Sequence, residues 1–567
     1  IMSSGVCARL RSRLAYVVKD PLINLSSFDW SPYWTTPSSM DDIHSVFQPP
    51  DIRYLRDHHP QTLASLISSI STHLVYLSKL SNVPIHKFPK IHLLNCIRLL
   101  TLFMPFLYEK SSSALLEDKI FWSAKYHSKH HTSGNLHEQI SPTESNIPTP
   151  GVDDESHNGQ SPNDETSSLK VDYHTMIHSD SPLGMELINS CLDLLFTLDF
   201  TVQSNKVSAS FANDYQPIVW EPGCETLSYY MDPVLDLDSN RLEIIRLLLS
   251  LFSKNLYTTH SDLVGTGSRF LTVFVAVTNG RKYYTLCLSL INTILRSTQN
   301  NSNPTISSYV NSNINNNNGL EVQNNDVHKK IRILLVTSII QLFSIIVVYP
   351  IPFKDINFLY KYNIILSHNN QPKNRTRMFL NKLNKIDDLK FIITTLSIPI
   401  LNPINDLNNL SAFSYIMKSS KLIDDDEIHI WSKELLIILL EFFQCNSKYR
   451  SVFTELLGPE FFVSLMYFVL KYKDDGSQKN FVKLCVQNLL YLSSDLRMCS
   501  KLLSHFNIQL YESLPQLLRT STTPTSYRDF LLIHLCNILS SFNNLNEFSN
   551  NKSTDSFSSN NNNNNNN

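Results

Sequence analysis

Apolar residues recur at intervals of three and four along most of this chain, and that spacing predicts helices. The stretch after Pro60 shows the pattern best, because one helical face there carries Leu63, Leu66, Ile67, Ile70, Leu74 and Leu77. Residues 431–442 and 481–492 repeat it. Strict alternation of apolar and polar residues is scarce, and glycine occurs only 12 times, too rarely for a sheet with many tight turns. The pattern predicts an all-α protein.

The arrangement of these helices is predicted from the links between them. Many amphipathic helices joined by short links favour stacked helical hairpins, as in an extended HEAT-like or armadillo-like solenoid. A chain of 567 residues is long enough for one such array or for two or three ordinary domains. No fixed repeat length is visible in the sequence, so we expect the repeats to be degenerate.

Three polar, low-complexity stretches interrupt the helical pattern, and we predict that they are disordered inserts because they lack apolar surface to bury. They divide the chain into an unassigned N-terminal segment 1–27, an N-terminal helical block 28–126, a disordered insert 127–181, a helical block 182–297, an Asn-rich disordered insert 298–326, a C-terminal helical block 327–548 and a poly-Asn tail 549–567.

Composition and charge narrow the class of protein. Hydrophobic residues make up 42% of the chain and charged residues 17%, which is a globular profile. The 48 basic and 50 acidic residues leave a net charge of -2, so no nucleic-acid partner is expected. None of the 9 cysteines has zinc or redox spacing, and most lie in apolar helical stretches. We therefore predict reduced core thiols in the cytosol.

Motifs for catalysis and metal binding are missing from the sequence. It has no Walker-type phosphate loop, no nucleophile elbow and no HExxH motif. Gly265 and Gly267 lack the third glycine of a phosphate loop, so a link between helices is the better interpretation. Histidines are grouped in the first insert, without a scaffold to hold a metal, at His127, His130, His131 and His137. We predict no enzyme activity, no cofactor and no metal site.

A calcium loop is also excluded. Asp236, Asp238 and Asn240 have its spacing, but Arg241 stands where the loop needs glycine. Asn240 followed by Glu243 instead resembles a capping box, which predicts a helix that starts there. The acidic residues then serve as the polar lead-in to the positive end of that helix.

One stretch, Ile331–Val348, has about the minimum length of a membrane span. It also contains Arg332 and several hydroxyl residues. We predict a buried helix of the array, and an integral membrane protein with one span near 331–348 remains the alternative.

Several segments, in order, resemble one family, the high-temperature-induced dauer-forming proteins, which are distantly similar to dymeclin. The matching segments are 28–34, 41–66, 95–101, 105–109, 121–123, 193–202, 220–223, 240–249, 288–293 and 349–353, with weaker similarity in 431–449 and 481–503. The motif residues in these segments that we single out, as structural or interaction residues of unknown role, are Asn95, Arg98, Trp122, Asp199, Trp220, Glu221, Asn240 and Arg241. For Trp122 and Trp220 core packing is expected before partner anchoring.

The resemblance implies a peripheral protein in the cytoplasm and on the cytosolic face of Golgi and trans-Golgi membranes. Its partners would be proteins of the secretory pathway and the membrane surface, and its role protein sorting and vesicle-mediated transport. It implies no catalytic residue, cofactor or small-molecule substrate. Family members often begin with Met-Gly and carry a myristoyl group, whereas Met2 is followed by Ser3, so the mode of attachment stays open. A soluble helical-repeat adaptor for other cargo is the second alternative.

Overall fold

The computed structural model describes residues 4–80, 89–123, 181–203, 218–225, 233–259, 261–262, 265–299, 319–361, 372–405 and 425–540. Within these ranges the chain forms 22 helices and no strand, which confirms the all-α prediction.

The helices are α1 (Ser4–Lys19), α2 (Pro32–Thr35), α3 (Met40–Val46), α4 (Pro49–His58), α5 (Pro60–Ser78), α6 (Lys90–Tyr108), α7 (Ala114–Glu117), α8 (Leu183–Leu194), α9 (Leu235–Phe252), α10 (Arg269–Ala276), α11 (Gly280–Gln299), α12 (Gly319–Val348), α13 (Phe353–Lys361), α14 (Arg375–Lys382), α15 (Ile386–Asn405), α16 (Asp425–Cys445), α17 (Ser447–Leu456), α18 (Glu460–Tyr472), α19 (Lys479–Ser493), α20 (Leu496–Leu502), α21 (Ile508–Ser513) and α22 (527–540). A π-helical turn, Asp118–Trp122, continues α7.

Ten of the longer helices form two parallel series that pack side by side. Row A consists of α6, α9, α12, α16 and α19, each packed against the next, and row B consists of α5, α8, α11, α15 and α18 in the same way. Each row-B helix also packs against the row-A helix that follows it in the chain. This is the solenoid of stacked helical pairs that the sequence predicts.

A short helix precedes each pair, so the repeating unit is a short helix, a row-B helix and a row-A helix. The short helices are α4, α7 with its π-turn, α10, α14 and α17. They begin at residues 49, 114, 269, 375 and 447, at very unequal spacing. The unequal spacing explains why no repeat period is visible in the sequence. The described chain continues after the fifth pair with α20, α21 and α22.

Five of the intervals outside the described ranges fall at one kind of junction. Residues 81–88, 204–217, 226–232, 300–318 and 406–424 all lie between a row-B helix and the row-A helix of the same unit. The predicted disordered insert 127–181, apart from residue 181, and the tail 549–567 lie outside the described residues. The predicted insert 298–326 overlaps the described chain at both ends, where α11 reaches Gln299 and α12 begins at Gly319.

The predicted apolar stripes are the surfaces that hold the rows together. All six stripe residues of α5 are at most 2% exposed. On α16, Leu435, Ile438, Leu439 and Phe442 are likewise buried. Fully burying one such side chain contributes about 1.5–3 kcal/mol, so packing rather than helix propensity stabilises each element.

A proline inside α6 shows how two row-A helices are linked by a hydrogen bond. Pro105 has no N–H, so it cannot bond the carbonyl of Thr101 one turn earlier. The hydroxyl of Ser250 on α9 donates to that carbonyl instead, at 3.0 Å. The break in the α6 ladder is therefore filled by its neighbour in the row.

Two described helices are long and apolar enough to cross a membrane by length and composition, Lys90–Tyr108 and Val327–Val348. A third candidate arises if α17 and α18, which meet at 83°, are counted together. In the solenoid, 67% of the apolar window of the first helix and 50% of that of the second are buried against other helices.

Candidate functional site

Four of the eight motif residues come together in the structure, and the other four lie at separate joints. Trp220 and Glu221 belong to the segment 218–225, between α8 and α9 in the chain, and Asn240 and Arg241 lie on α9. Side chains of α11 and α12 complete a group of charges that we call the Glu221 cluster. Its members are Glu221, Asp238, Arg241, Arg296, His328 and Arg332.

Asn292 of α11 holds the backbone of the segment in place. Its side-chain oxygen accepts from the N–H of Cys224 at 2.9 Å, and its amide donates to the carbonyl of Glu221 at 3.2 Å. A Cβ atom on Gly223 would lie 2.5 Å from the same side-chain oxygen. Only glycine therefore lets the backbone approach Asn292 this closely.

Trp220 fixes the segment on its other side. Its indole N–H donates to the carbonyl of Leu195 at 2.9 Å, and the ring is 2% exposed. The guanidinium of Arg241 lies 5.0 Å from the ring centroid, a cation–π contact. The structure thus places Trp220 in the core, in the role that the sequence analysis expected.

Arg332 of α12 joins the two carboxylates of the cluster. Its Nη1 and Nη2 lie 2.6 and 2.8 Å from the two oxygens of Glu221, a bidentate fork. The same Nη1 lies 3.3 Å from Asp238 Oδ2. Asp238 Oδ1 in turn accepts from Arg241 at 2.9 Å. One chain of charge pairs therefore runs from the segment through α12 to α9.

Two further groups lie at the edge of these pairs. Arg296 of α11 is 3.9 Å from Glu221, and His328 of α12 is 3.7 Å from Asp238. The carboxylates are almost completely enclosed, with Glu221 3% and Asp238 0% exposed. The cluster lies inside the stack and is not part of a surface cleft.

The ionisation of the cluster follows from its pairs. Burial raises the pKa of the Asp238 carboxyl, but the nearby His328 ring and the charges of Arg332 and Arg241 outweigh it, and the net pKa is lowered. Burial lowers the pKa of Arg332, but Glu221 and Asp238 together raise it above its usual range. Burial also lowers the pKa of Arg241, although an arginine stays protonated in proteins. The cluster is therefore a set of paired ions.

The arrangement suits a structural cross-link. Its charges join α9, α11, α12 and the segment 218–225, and each carboxylate has at least two cationic neighbours. Burying ions is costly, so such a group holds its parts in register only while every partner is present. Its chemistry is that of a clamp between two successive units of the solenoid.

Asn240 has a different role from the predicted one. The predicted helix start at Asn240 is wrong, because α9 begins at Leu235 and Asn240 lies inside it. The side chain of Asn240 instead donates to the carbonyl of Phe200 at 2.8 Å. That carbonyl follows Asp199, whose φ of 54° turns the chain, and the Asp199 N–H donates to Val202 at 2.6 Å. The two motif residues together fix the chain after α8.

Asn95 and Arg98 of α6 form two other joints. Asn95 donates to the carbonyls of Trp34 and Pro37, at 2.9 and 2.6 Å, and so ties the N-terminal segment to row A. Arg98 pairs with Glu243 of α9 at 3.2 Å. The first bond is fully buried, and the second links two neighbouring row-A helices.

Trp122, the last of the eight, is fully buried. A Cβ atom on Gly184 of α8 would lie 2.8 Å from its ring, so α8 can approach only because residue 184 is glycine. Phe270 and Phe358 pack against the ring, with centroids 4.9 and 5.2 Å away. This is core packing, the role expected for it.

Gly267 also has a packing role. It lies beside a buried network in which the hydroxyl of Tyr349 contacts Thr272 at 2.8 Å and Asp355 at 3.1 Å. A Cβ atom on Gly267 would collide with the Asp355 carboxylate and the Tyr349 hydroxyl. The glycine is explained by this contact and not by a phosphate.

The structure shows no group of three or more His, Cys, Asp or Glu side chains that could hold a metal within the residues it describes. The insert histidines, His127, His130, His131 and His137, lie outside those residues.

The sequence analysis singled out only two of the six cluster members, Glu221 and Arg241. Asp238 was interpreted as a helix lead-in, and Arg332 only as an argument against a membrane span. One signal was available, because an arginine in an otherwise apolar helix needs a buried counter-charge. The partner itself, Glu221, lies 111 residues away in sequence, so spacing gave no indication of it.

Comparison with known proteins places the chain in context. Residues 19–558 match the family described as high-temperature-induced dauer-formation protein, Hid1. No solved structure matches the chain.

Three relatives illustrate the range of similarity. The chain is 26% identical to the Ubp5-interacting protein ftp105 of Schizosaccharomyces pombe, over 92% of this chain and 56% of that protein. It is 24% identical to a second Hid-1 family protein of the same yeast, over 90% of this chain and 53% of that protein. It is 28% identical to human HID1, over 47% of this chain and 29% of that protein. The chain thus spans about half the length of its yeast relatives.

Proposed function

The chain belongs to the high-temperature-induced dauer-formation protein family, and on that premise we propose that it is a peripheral scaffold or adaptor of the Golgi and trans-Golgi network. In this role it binds protein partners of the secretory pathway at the cytosolic membrane face and supports protein sorting and vesicle traffic. It works by binding and catalyses no reaction.

The observation that carries the proposal is where the polar chemistry lies. The charged and polar motif residues pair with other residues of the chain in the interior. Glu221 and Asp238 are nearly inaccessible to solvent. What the fold offers to other molecules is the outer surface of its helical rows. Stacked helical repeats use such extended surfaces to bind proteins.

A relative gives independent support for a binding role. The yeast protein ftp105 is named for its interaction with Ubp5, which is a protein–protein contact. We propose a comparable kind of activity for this chain, with its own partners.

Membrane attachment from the surface is favoured by the environment of α12. Arg332 lies within the candidate span, and its charge is neutralised by Glu221 and Asp238 inside the solenoid. Moving this helix into a bilayer would separate those pairs and uncover its contacts with α9, α11 and α16. These costs support the peripheral alternative over a single span near 331–348.

Alkaline carbonate extraction of membranes tests this choice. The tagged full-length chain is expected in the supernatant, together with a peripheral Golgi marker. Retention in the pellet with an integral Golgi marker would show that the chain spans the membrane.

Imaging tests the location and separates the proposal from the adaptor for other cargo. The full-length chain carrying a small tag is expected to overlap with Golgi and trans-Golgi markers and to disperse when the Golgi is disrupted. Localisation to the nucleus or to cytoskeletal filaments would contradict the proposal. The variant Leu256→Ser, an exposed position, serves as a matched control that should localise like the unmodified chain.

A further inference from the structure

A stretch around the short helix α14 has a strong local excess of positive charge. Residues 356–386 contain no aspartate or glutamate, although the whole chain has 50 acidic against 48 basic residues. The basic residues of this stretch are Lys361, Lys373, Arg375, Arg377, Lys382 and Lys385. A surface with one sign of charge attracts ligands of the opposite sign. The stretch therefore favours an anionic ligand.

The last five of these basic residues lie in the described range that begins at residue 372, and two of them are paired. Arg377 Nη2 lies 2.7 Å from Glu441, and Lys385 Nζ lies 2.8 Å from Glu225. The other three, Lys373, Arg375 and Lys382, form no ion pair with a residue that the structure describes. The interval 362–371 before them contains no acidic residue. Their charges are thus left without a local counter-charge.

Arg375 is the least balanced of the three. Its side chain is half-buried, and its Nη1 atom is enclosed without an acceptor among the described residues. Burial lowers the pKa of this guanidinium, and Tyr284 and Tyr283 beside it raise that pKa only in part. An arginine nevertheless stays protonated in proteins. A partly desolvated cation of this kind is stabilised when an anion approaches its exposed side.

Tyr284 of α11 brings a second cation to the same place. Arg375 and Lys382 are seven residues apart, or two turns of α14, and so lie on one face of the helix. Lys382 Nζ lies 4.5 Å from the centroid of the Tyr284 ring, and the same tyrosine borders Arg375. The Tyr284 ring stacks on Phe379 of α14, with centroids 6.4 Å apart. One tyrosine therefore joins both cations.

The helix that carries the two cations is fixed within the stack. The side-chain amide of Asn374 donates to the carbonyls of Ile346 and Tyr349, at 2.7 and 3.1 Å, and its oxygen accepts from the N–H of Thr376 at 2.9 Å. Helices α10, α11, α12 and α16, all described, pack against α14. The exposed face of α14 therefore does not result from the end of the described chain.

We propose that Arg375, Lys382 and the hydroxyl of Tyr284 bind the phosphate group of an anionic lipid head group on the cytosolic membrane face. A guanidinium fork matches the oxygens of a phosphate, and the ammonium and phenol groups supply further donors. A phosphomonoester carries about 1.5–2 negative charges at pH 7, which suits two cations without a counter-charge. We call these three residues the Arg375 site.

The neighbouring apolar side chain favours a lipid over a soluble phosphate. Met378 is 39% exposed and lies on α14 between Arg375 and Lys382. An exposed apolar side chain beside cations and a tyrosine suits the boundary where head groups meet acyl chains. A phosphorylated peptide would present the same phosphate without an apolar layer for Met378.

This inference deepens the proposed peripheral function by naming a point of membrane attachment, and it rests on that function for its biological meaning. A chain that reaches the Golgi but binds vesicles independently of Arg375 would refute the site and leave the proposed function standing. A chain that binds vesicles through the site but is absent from the Golgi would do the reverse.

The test measures sedimentation of the purified full-length chain with vesicles of three compositions. They contain phosphatidylcholine alone, phosphatidylcholine with phosphatidylserine, or phosphatidylcholine with a phosphatidylinositol monophosphate, the last two matched in net charge. We expect the strongest binding to the third set, and the same head group without acyl chains should compete. The variant Arg375→Met with Lys382→Met should weaken binding by about tenfold or more.

Two controls separate this role from general charge and from a structural role. Arg246→Met with Lys448→Met removes two exposed basic residues elsewhere and should leave binding unchanged. Arg375→Met alone should not lower the free energy of unfolding, because the guanidinium has no partner among the described residues to lose.

Four results would overturn the proposal. The first is equal binding to the two charge-matched vesicle sets, and the second is unchanged binding by the double variant of Arg375 and Lys382. The third is tighter binding of a phosphorylated peptide at the same residues, since the ligand would then be a protein. The fourth is absence of vesicle binding with a loss of stability in Arg375→Met, which would show that a carboxylate of the chain itself occupies the site.

Discussion

The Glu221 cluster and the outer sides of α19 and α22 (Val486, Leu490, Leu532, Leu535 and Leu539) reverse the usual placement of charged and apolar side chains. The first places paired charges inside the stack, and the second leaves leucines outside it. The most recognisable motif residues belong to the first region, and similarity to the family is weaker in the second. The comparison teaches that, in a stacked helical protein, distinctive charged motifs can mark how units are joined and need not mark a surface that binds.

The largest expected effect comes from breaking the cluster. Glu221→Ala removes the bidentate partner of Arg332 and leaves a buried guanidinium with incomplete compensation. We expect a loss of about 3–5 kcal/mol in the free energy of unfolding, measured by chemical denaturation. Glu455→Ala, whose side chain is 70% exposed, should cost less than about 1 kcal/mol. Equal losses in the two variants would mean that the Glu221 cluster stabilises the fold no more than an exposed ion pair does.

Asn95→Ala tests a buried joint without charge. It leaves the carbonyls of Trp34 and Pro37 without their donor in a closed environment. The expected loss is about 1–3 kcal/mol by the same measurement. Asn480→Ala, at an exposed position, is the control, and a matching loss there would contradict the assigned role.

The acid dependence of stability should reflect Asp238. Its folded pKa lies below its unfolded value, so its contribution is present above the unfolded pKa and is lost as the pH falls towards the folded one. One such carboxyl changes stability by at most about 1.4 kcal/mol per pH unit, in the region below about pH 4. Asp238→Asn should give a flatter unfolding curve against pH there. An unchanged slope would show that other carboxyls control the acid response.

The row-A link at Pro105 predicts a coupled effect. Ser250→Ala should cost about 1 kcal/mol because the Thr101 carbonyl loses its donor. When Pro105→Ala is already present, the helix can bond that carbonyl itself, and the cost of Ser250→Ala should shrink. A double-mutant cycle measures the difference, and strict additivity would argue against the link.

The smallest expected effect on stability is at the exposed leucines of α19 and α22. Leu490→Ser and Leu535→Ser remove side chains that are 72% and 43% exposed, and each should alter the free energy of unfolding by less than about 0.5 kcal/mol. A large loss would mean that these leucines are part of the core, and the contrast with the cluster would disappear.

Sequence reasoning predicted local structure well and long-range structure less well. The stripe of α5 and the apolar positions of α16 could be predicted because helical periodicity is a local property. The start of α9 was wrong because the bond from Asn240 to Phe200 is tertiary and takes the asparagine away from capping. Tertiary contacts override local signals in this way.

The candidate site was recognised only in part, for physical reasons. Resemblance identified Glu221 and Arg241, but Arg332, which joins Glu221 to Asp238, lies 111 residues after Glu221, and pairing across such a distance leaves no spacing signal. Periodicity also shows that α19 has two apolar sides, yet it cannot show which one a neighbour covers. That depends on which helices lie beside it in the folded chain.

The position of the intervals between row-B and row-A helices has a consequence for how this protein can change. Because closing a longer loop adds little free energy, the chain can gain or lose residues at these junctions while the helices keep their registration. The packing of the helices is therefore independent of the length of the chain at these junctions. Epitope tags or cleavage sites introduced at residues 300–318 should leave the Glu221 cluster and the packing of the helical rows intact.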